Sequence, residues 1–261
     1  MLPEIDTTAF VGRKEKLIAI QRYAKFPRML YRTNLWTHTH RMSWLVEAVG
    51  PAVQHVYPTF NIERARTMAF VHDDIEMIIG DIMFGAKLNM SKEDMDTLHA
   101  TELAAVKTLA KQFPKIIHGY SYQEVMERYE TLAHDDIEAQ VVKYIDKFDA
   151  LGESAHELFA GNDVFLHGYS EVTLPPIESL MTFFTPVSTT YPLLQKLVGR
   201  HPLFDPISLP DTAALVKNGT PHTNTTLTQP TSYPPYTLWR DTILTYGGTF
   251  AEDMLLKQQE V

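Results

Sequence analysis

The chain has 261 residues, with 23 Lys and Arg against 32 Asp and Glu, a formal charge of −9, 11 His and no Cys. The lack of Cys excludes a disulfide framework, a thiolate nucleophile and zinc-knuckle or iron–sulfur ligation, and the acidic balance disfavours binding along a long nucleic acid, which needs clustered cations. The apolar fraction of 44% suits a buried core, no run of about eighteen apolar residues could span a membrane, and the polar, mixed-charge start lacks the apolar segment of a signal peptide. The expectation is a cytoplasmic protein in which any metal is held by His and carboxylate.

In chain order, Met42, Leu45, Val46 and Val49 recur at helical spacing and predict a helix over residues 41–49. Met68, Val71, Ile75 and Ile78 predict a second over 64–79, which ends at Gly80-Asp81. Ser91-Lys-Glu-Asp is a capping-box signature and opens a helix towards Gln112. Residues 121–132 form another helical stretch. Residues 135–160 are long and amphipathic, with Val142, Ile145, Phe148 and Leu151 on one stripe, a possible break at Gly152 and a stop at Gly161-Asn162. No segment alternates with period two, so residues 1–170 are read as one all-α domain.

Most of the sixteen prolines fall after residue 170. Helical pieces are expected at 177–184, 192–198, 212–216 and 238–256, with a Thr/Pro-rich loop over 221–232. Trp239, Phe183 and Phe184 call for burial rather than disorder. Residues 171–261 are therefore read as a proline-rich, mostly helical or irregular C-terminal extension, packed on the domain or at an oligomer interface.

His-Asp-Asp-Ile-Glu occurs twice, at 72–76 and 134–138. Adjacent His and Asp on a helix can share an ion that lies against the helix surface, and other helices must then supply the remaining ligands. The donors are His40, near the start of an earlier helix, and Asp146, inside the long later one. Two imidazoles and two carboxylates suit one divalent transition ion: Mn²⁺, Co²⁺, Ni²⁺, Fe²⁺ or Zn²⁺. Glu76, one turn after His72, is placed to orient a water or take its proton. Asp81 sits at the pocket rim, within reach of a sugar hydroxyl. The second copy lies about 18 Å from Asp146 along one helix at 1.5 Å per residue. It is read as a helix N-terminus with its acids against the dipole.

Three stretches resemble the HD-domain phosphohydrolase superfamily, and within it the bacterial YfbR-type 5′-deoxynucleotidases. They are Arg32-Thr33 with the helix opened by His40; His72-Asp-Asp-Ile-Glu-Met-Ile-Ile-Gly-Asp81; and the segment from Val142 through Asp146 to Leu166. The resemblance covers about residues 15–167. It implies a helical domain with one divalent metal, often a homodimer, that removes the 5′-phosphate from (deoxy)nucleoside monophosphates by attack of a metal-bound water. Carried over, His40, His72, Asp73 and Asp146 are ligands, Asp73 and Glu76 serve catalysis, and Asp81 contacts substrate. His40 is preferred to His38, and Asp146 to Asp149, because their flanking registers fit the family better. The family also places an Arg followed by a Trp near its N-terminus, against phosphate and sugar. The nearest match here is Lys25-Phe26-Pro27, with Arg28 and Arg32 as alternatives. The remaining readings are hydrolysis of nucleoside triphosphates or guanosine polyphosphates on the same site, a di-iron HD-type oxygenase, and a non-catalytic interaction protein stapled by metal. His118 is the candidate for any second metal.

Overall fold

The computed structural model describes residues 2–26, 28–131, 135–169, 174–184 and 191–258. Helix α1 (Arg13–Ala19) leads to an extended pairing of Gln21 with Asn34 and then to α2 (Leu35–Val56). A reciprocal cap fixes the start of α2. The Asn34 side chain accepts from the Thr37 backbone N–H at 3.0 Å, and Thr37 Oγ1 accepts from the Asn34 N–H at 3.2 Å, which satisfies donors a helix start would leave unpaired. The helix thus begins well before the expected residue 41.

Helix α3 (Ile62–Val71) is capped by Asn61. The helix expected through Ile79 is interrupted here: residues His72–Ile75 tighten into a 3₁₀ turn, a single α-turn α4 (Glu76–Ile79) follows, and Gly80 ends it at φ 78°. Next come α5 (Phe84–Lys87) and α6 (Lys92–Gln112), whose Ser91 cap is as read from the sequence. A short hairpin pairs Ile116–Ile117 with Tyr120–Ser121 and precedes α7 (Tyr122–Thr131). Helix α8 (Ile137–Phe159) is capped by Asp136, whose side chain accepts from the Ala139 N–H at 2.9 Å. The second His-Asp-Asp-Ile-Glu is therefore a helix start in its described residues; its His134 lies outside them.

Further along lie α9 (Pro176–Phe184), α10 (Thr212–Asn218), α11 (Asn224–Leu227, within the expected Thr/Pro loop), α12 (Pro234–Tyr246) and α13 (Gly248–Leu256). The architecture is all-α. Helix α8 is its axis, with α2, α3, α7, α9 and α12 packed against it. One apolar cluster holds Met42, Leu45 and Val49 of α2, Met68 of α3, Val142, Ile145 and Phe148 of α8, and also Tyr236, Trp239, Ile243 and Leu255 from α12 and α13. At roughly 1.5–3 kcal/mol for each large apolar side chain buried, the C-terminal helices contribute to the same core as the N-terminal ones.

Gly152 does not break α8, because its role is close approach. A Cβ there would fall 2.2 Å from the Trp239 ring. One turn on, the His156 and His222 rings stack at 3.8 Å. His156 Nε2 donates to the Leu255 carbonyl and its Nδ1 accepts from the Tyr236 hydroxyl, each at 2.9 Å, while His222 Nε2 donates to the His156 carbonyl at 2.8 Å. Two neutral imidazoles thus tie α12, α13 and the loop at residue 222 to α8. Among the described residues no helix is long and apolar enough to cross a membrane.

Candidate active site

The 3₁₀ turn after α3 divides its three polar residues between two sides. Asp74 turns into the core, where Arg13 Nε lies 2.9 and 2.8 Å from its two oxygens and the Tyr122 hydroxyl donates at 2.8 Å. That anchor leaves His72 and Asp73 facing the other way. The His72 Nδ1–H donates to the Ala69 carbonyl at 2.8 Å, so its Nε2 is a free lone pair beside Asp73 Oδ1 at 3.0 Å.

The imidazole that meets them is His38, in the first turn of α2, and His40 does not join the cluster. With the helix starting at Leu35, His38 shares a face with Arg41, Met42 and Leu45, all buried against α3 and α8. His40 is two residues on, about 200° around the axis. It packs edge-on to Trp36 at 4.4 Å, with Phe70 and Phe250 nearby, and its Nδ1–H donates to the Trp36 carbonyl at 2.8 Å. Burial pulls that ring down to about 4, the value of a neutral core histidine. The preference for His40 over His38 is corrected on this geometry.

His38 Nε2 lies 3.4 Å from His72 Nε2, 3.2 Å from Asp73 Oδ2 and 3.6 Å from Asp146 Oδ1. Asp146, in the middle of α8, also meets Lys147 Nζ at 2.6 Å and the Tyr129 hydroxyl at 3.4 Å. Asp149, one turn on, does not enter the cluster. It takes the His38 Nδ1–H at 2.8 Å, and Arg41 donates to both its oxygens at 2.8 and 2.7 Å.

Burial works against charge on the Asp73 and Asp146 carboxyls, yet His72 and His38 hold Asp73 down and Lys147 with the two imidazoles holds Asp146 down, so both stay ionised. Burial keeps His72 below its ordinary value. Both Nδ1 atoms are spent on oxygen acceptors, so in the neutral rings both Nε2 lone pairs face the cluster. Burial opposes charge on His38, but Asp149 and Asp73 raise it overall and favour a proton on its Nε2 when no cation is bound. Two facing lone pairs beside two carboxylates repel one another unless a proton or a metal cation lies between them. The donor set therefore fits a divalent ion. Among the described residues, His38, His72 and Asp73 offer ligand atoms all within 4.8 Å of one another.

Asp73 and Asp146 of the cluster line a cleft together with Arg22, Tyr23, Glu76, Asp81, Lys143 and Tyr169, among others. Glu76 has a buried oxygen with no hydrogen-bond partner. Burial, with Asp73 and Asp81 beside it, raises its carboxyl well above the usual range. Burial likewise raises Asp81, which follows the left-handed Gly80.

Of the expected phosphate cations, none lines the cleft. Lys25 and Arg28 are exposed, and Arg32 is turned away, donating to the Tyr23 and Phe26 carbonyls. Pro27 of the matched tripeptide lies outside the described residues. The cleft instead holds Arg22, whose Nε donates to Glu153 at 2.9 Å and whose guanidinium lies 4.0 Å from Asp73. Glu153 also takes the Thr33 hydroxyl. The signal for Arg22 is its aromatic successor, Tyr23, three residues ahead of the Lys25-Phe26 match. His118 pairs with Glu63 at 3.0 Å and is absent from the cleft lining.

The 5′-deoxynucleotidase YfbR-like family profile matches residues 9–181. Over 130 residues the chain is 30% identical to the 5′-deoxynucleotidase hdd1 of Schizosaccharomyces pombe, a match covering 44% of this chain and 63% of that protein. The chain thus spans less than two-thirds of this curated relative's length. A solved structure, a conserved hypothetical protein from Pyrococcus furiosus, is 18% identical, covers 71% of this chain and 92% of its own, and superposes with a TM-score of 0.47.

Proposed function

The chain belongs to the YfbR-like 5′-deoxynucleotidase family, and on that premise we propose that it is a metal-dependent phosphohydrolase that removes the 5′-phosphate from (deoxy)nucleoside monophosphates. The observation that carries the reading is the convergence of His38, His72, Asp73 and Asp146, the two carboxylates lining a cleft that also holds Glu76 and Arg22.

His38, His72, Asp73 and Asp146 would hold one divalent transition ion, and the nitrogen–oxygen donor set suits Mn²⁺, Co²⁺, Ni²⁺, Fe²⁺ or Zn²⁺. When bound, such an ion supplies positive charge to a phosphate oxygen and lowers the pKa of a ligated water. The chain's own residues do the rest. Glu76 lines the cleft with an unpartnered oxygen. Burial and Asp73 favour its protonated form; beside the charge of a bound cation its pKa falls, and it becomes a carboxylate able to accept the proton of the attacking water. Arg22, held by Glu153, takes a non-reacting phosphate oxygen, and a planar fork suits that contact. Tyr23 and Asp81 flank the space left for the sugar.

Charge supports the metal. Asp73 and Asp146 are held ionised in a cleft they share with Glu76 and Asp81. Of its cations, Arg22, Lys87 and Lys147 each already face a carboxylate, at 2.9, 2.9 and 2.6 Å, while Lys143 lies 3.8 Å over the Tyr129 ring. A divalent ion makes such a pocket receptive to an anion. The reading also takes the protein as a homodimer, as its resemblance implies, and as cytoplasmic.

The test is phosphate release from ribo- and deoxynucleoside mono-, di- and triphosphates with Mn²⁺, Co²⁺, Mg²⁺ or chelator, on the parent, His38→Ala and His40→Ala. Orthophosphate from monophosphates alone, lost in chelator and in His38→Ala but retained in His40→Ala, is the expected pattern. Release of triphosphate or pyrophosphate would establish the larger substrate instead. Undiminished turnover by His38→Ala in chelator would overturn the assignment.

A further inference from the structure

We propose that Trp239, contributed by α12 outside the family-matched residues, is a positioning residue for the metal centre, acting on His38 through Asp149. The proposal rests on the metal site assigned above.

Asp149 is fully buried and receives four donors. Arg41 Nε and Trp239 Nε1 reach Oδ1 at 2.8 and 2.7 Å, and Arg41 Nη2 and His38 Nδ1 reach Oδ2 at 2.7 and 2.8 Å. The tilt of this carboxylate sets the ring plane of His38, and so the direction of its Nε2 lone pair. Arg41 alone does not fix that tilt, because its Nη2 also binds Glu153 at 2.6 Å. The indole N–H is a second donor on Oδ1, beside Arg41 Nε, supplied from the C-terminal part of the chain.

The indole's place is built into α8. Asp149 and Gly152 lie three residues apart on one helix face, and the missing Cβ at Gly152 makes the notch into which the indole fits. Acceptor and notch together hold the ring with its N–H on Oδ1. The Arg41 guanidinium lies 5.6 Å from the ring centroid, so the same indole also packs against the other donor. A side chain serving only as core filler needs the notch but not the acceptor.

Trp239→Phe keeps an aromatic ring in the notch and removes the N–H. Outer-sphere partners of metal-binding histidines typically change metal affinity by about 10–100-fold, and Trp239 stands one bond further out. The Kd for Co²⁺, measured by isothermal titration on the full chain, is therefore expected to weaken by roughly tenfold. With saturating Co²⁺, kcat should return to near the parent value and the substrate KM should not move. Gly152→Ala pushes the indole off Oδ1 without changing its chemistry, and is expected to weaken Co²⁺ binding similarly. A third readout needs no substitution: the Trp239 indole N–H resonance of the parent should shift on addition of Zn²⁺.

A folded Trp239→Phe with the parent's Co²⁺ affinity overturns the proposal, as does an indole resonance that ignores Zn²⁺ while the protein binds it. A folded parent that takes up neither ion would instead overturn the metal-site reading itself.

Discussion

Asp149→Asn separates what holds the fold from what holds the ion. The substitution preserves shape and removes one buried negative charge that four donors share. Summing charged hydrogen bonds at about 1.5–3 kcal/mol each would overshoot, because all four share one acceptor group. The better guide is the loss of one partner from a buried ion pair, about 3–5 kcal/mol. The lower half of that range applies, since Arg41 keeps Glu153 at 2.6 Å. The amide also turns an N–H₂ towards a donor, a mismatch that adds to the loss. At about 2.1 cal/mol/K per residue, a chain of 261 residues unfolds with an entropy near 0.55 kcal/mol/K. A loss of ~3–4 kcal/mol then lowers the melting temperature by about 5–7 °C. Differential scanning calorimetry in chelator isolates this from metal linkage. Asp146→Asn is the comparison, with metal binding lost; it also loses the ion pair with Lys147 at 2.6 Å, but both partners there are partly exposed, so its melting in chelator should fall less than that of Asp149→Asn. An Asp149→Asn protein that melts in chelator within 2 °C of the parent would refute the view that this carboxylate organises the interior.

Burial and His222 keep His156 well below its ordinary value, and burial does the same for His222. The unfolded chain therefore binds protons first as pH falls through about 6.5, so the stability from this stack is complete above that pH and is lost progressively below it. The urea midpoint should fall between pH 7.5 and 5, and less steeply in His222→Gln; identical slopes would contradict this. Gly80 has φ 78° and ψ 166°, a region that costs a residue with a Cβ about 1–3 kcal/mol, while nothing lies within 4 Å of the added atom. Gly80→Ala is thus expected to melt a few degrees lower and to raise the substrate KM through displacement of Asp81. An unchanged KM would remove Asp81 from the sugar contact.

What the sequence made legible was local. The Ser91 cap and the helix start at Asp136 depend on a few adjacent residues, as does the His72-Asp73 pair with Glu76 one turn on. The sequence favours His40 on its flanking register, whereas the reciprocal cap of Asn34 with Thr37 starts α2 at Leu35 and sets a phase in which His38 meets His72 and Asp73. Arg22 depends on a backbone pairing of Gln21 with Asn34 and on Glu153 from α8, partners more than a hundred residues apart in the latter case. The 3₁₀ turn needs Arg13 and Tyr122 to seize Asp74, and no periodicity encodes that. Trp239 reaches Asp149 across ninety residues.

The repeated pentapeptide makes the same point for anyone who would move the site. Where Asp74 is gripped from behind, the letters His-Asp-Asp-Ile-Glu supply half of the His/Asp cluster; where Asp136 is free to cap, they open a helix. A graft of residues 72–76 into another scaffold would therefore transfer spelling without meaning. The portable unit is the pentapeptide with Arg13, Tyr122 and the Ala69 carbonyl. A search for kindred sites would do better to ask for those three grips than for the five letters they act on.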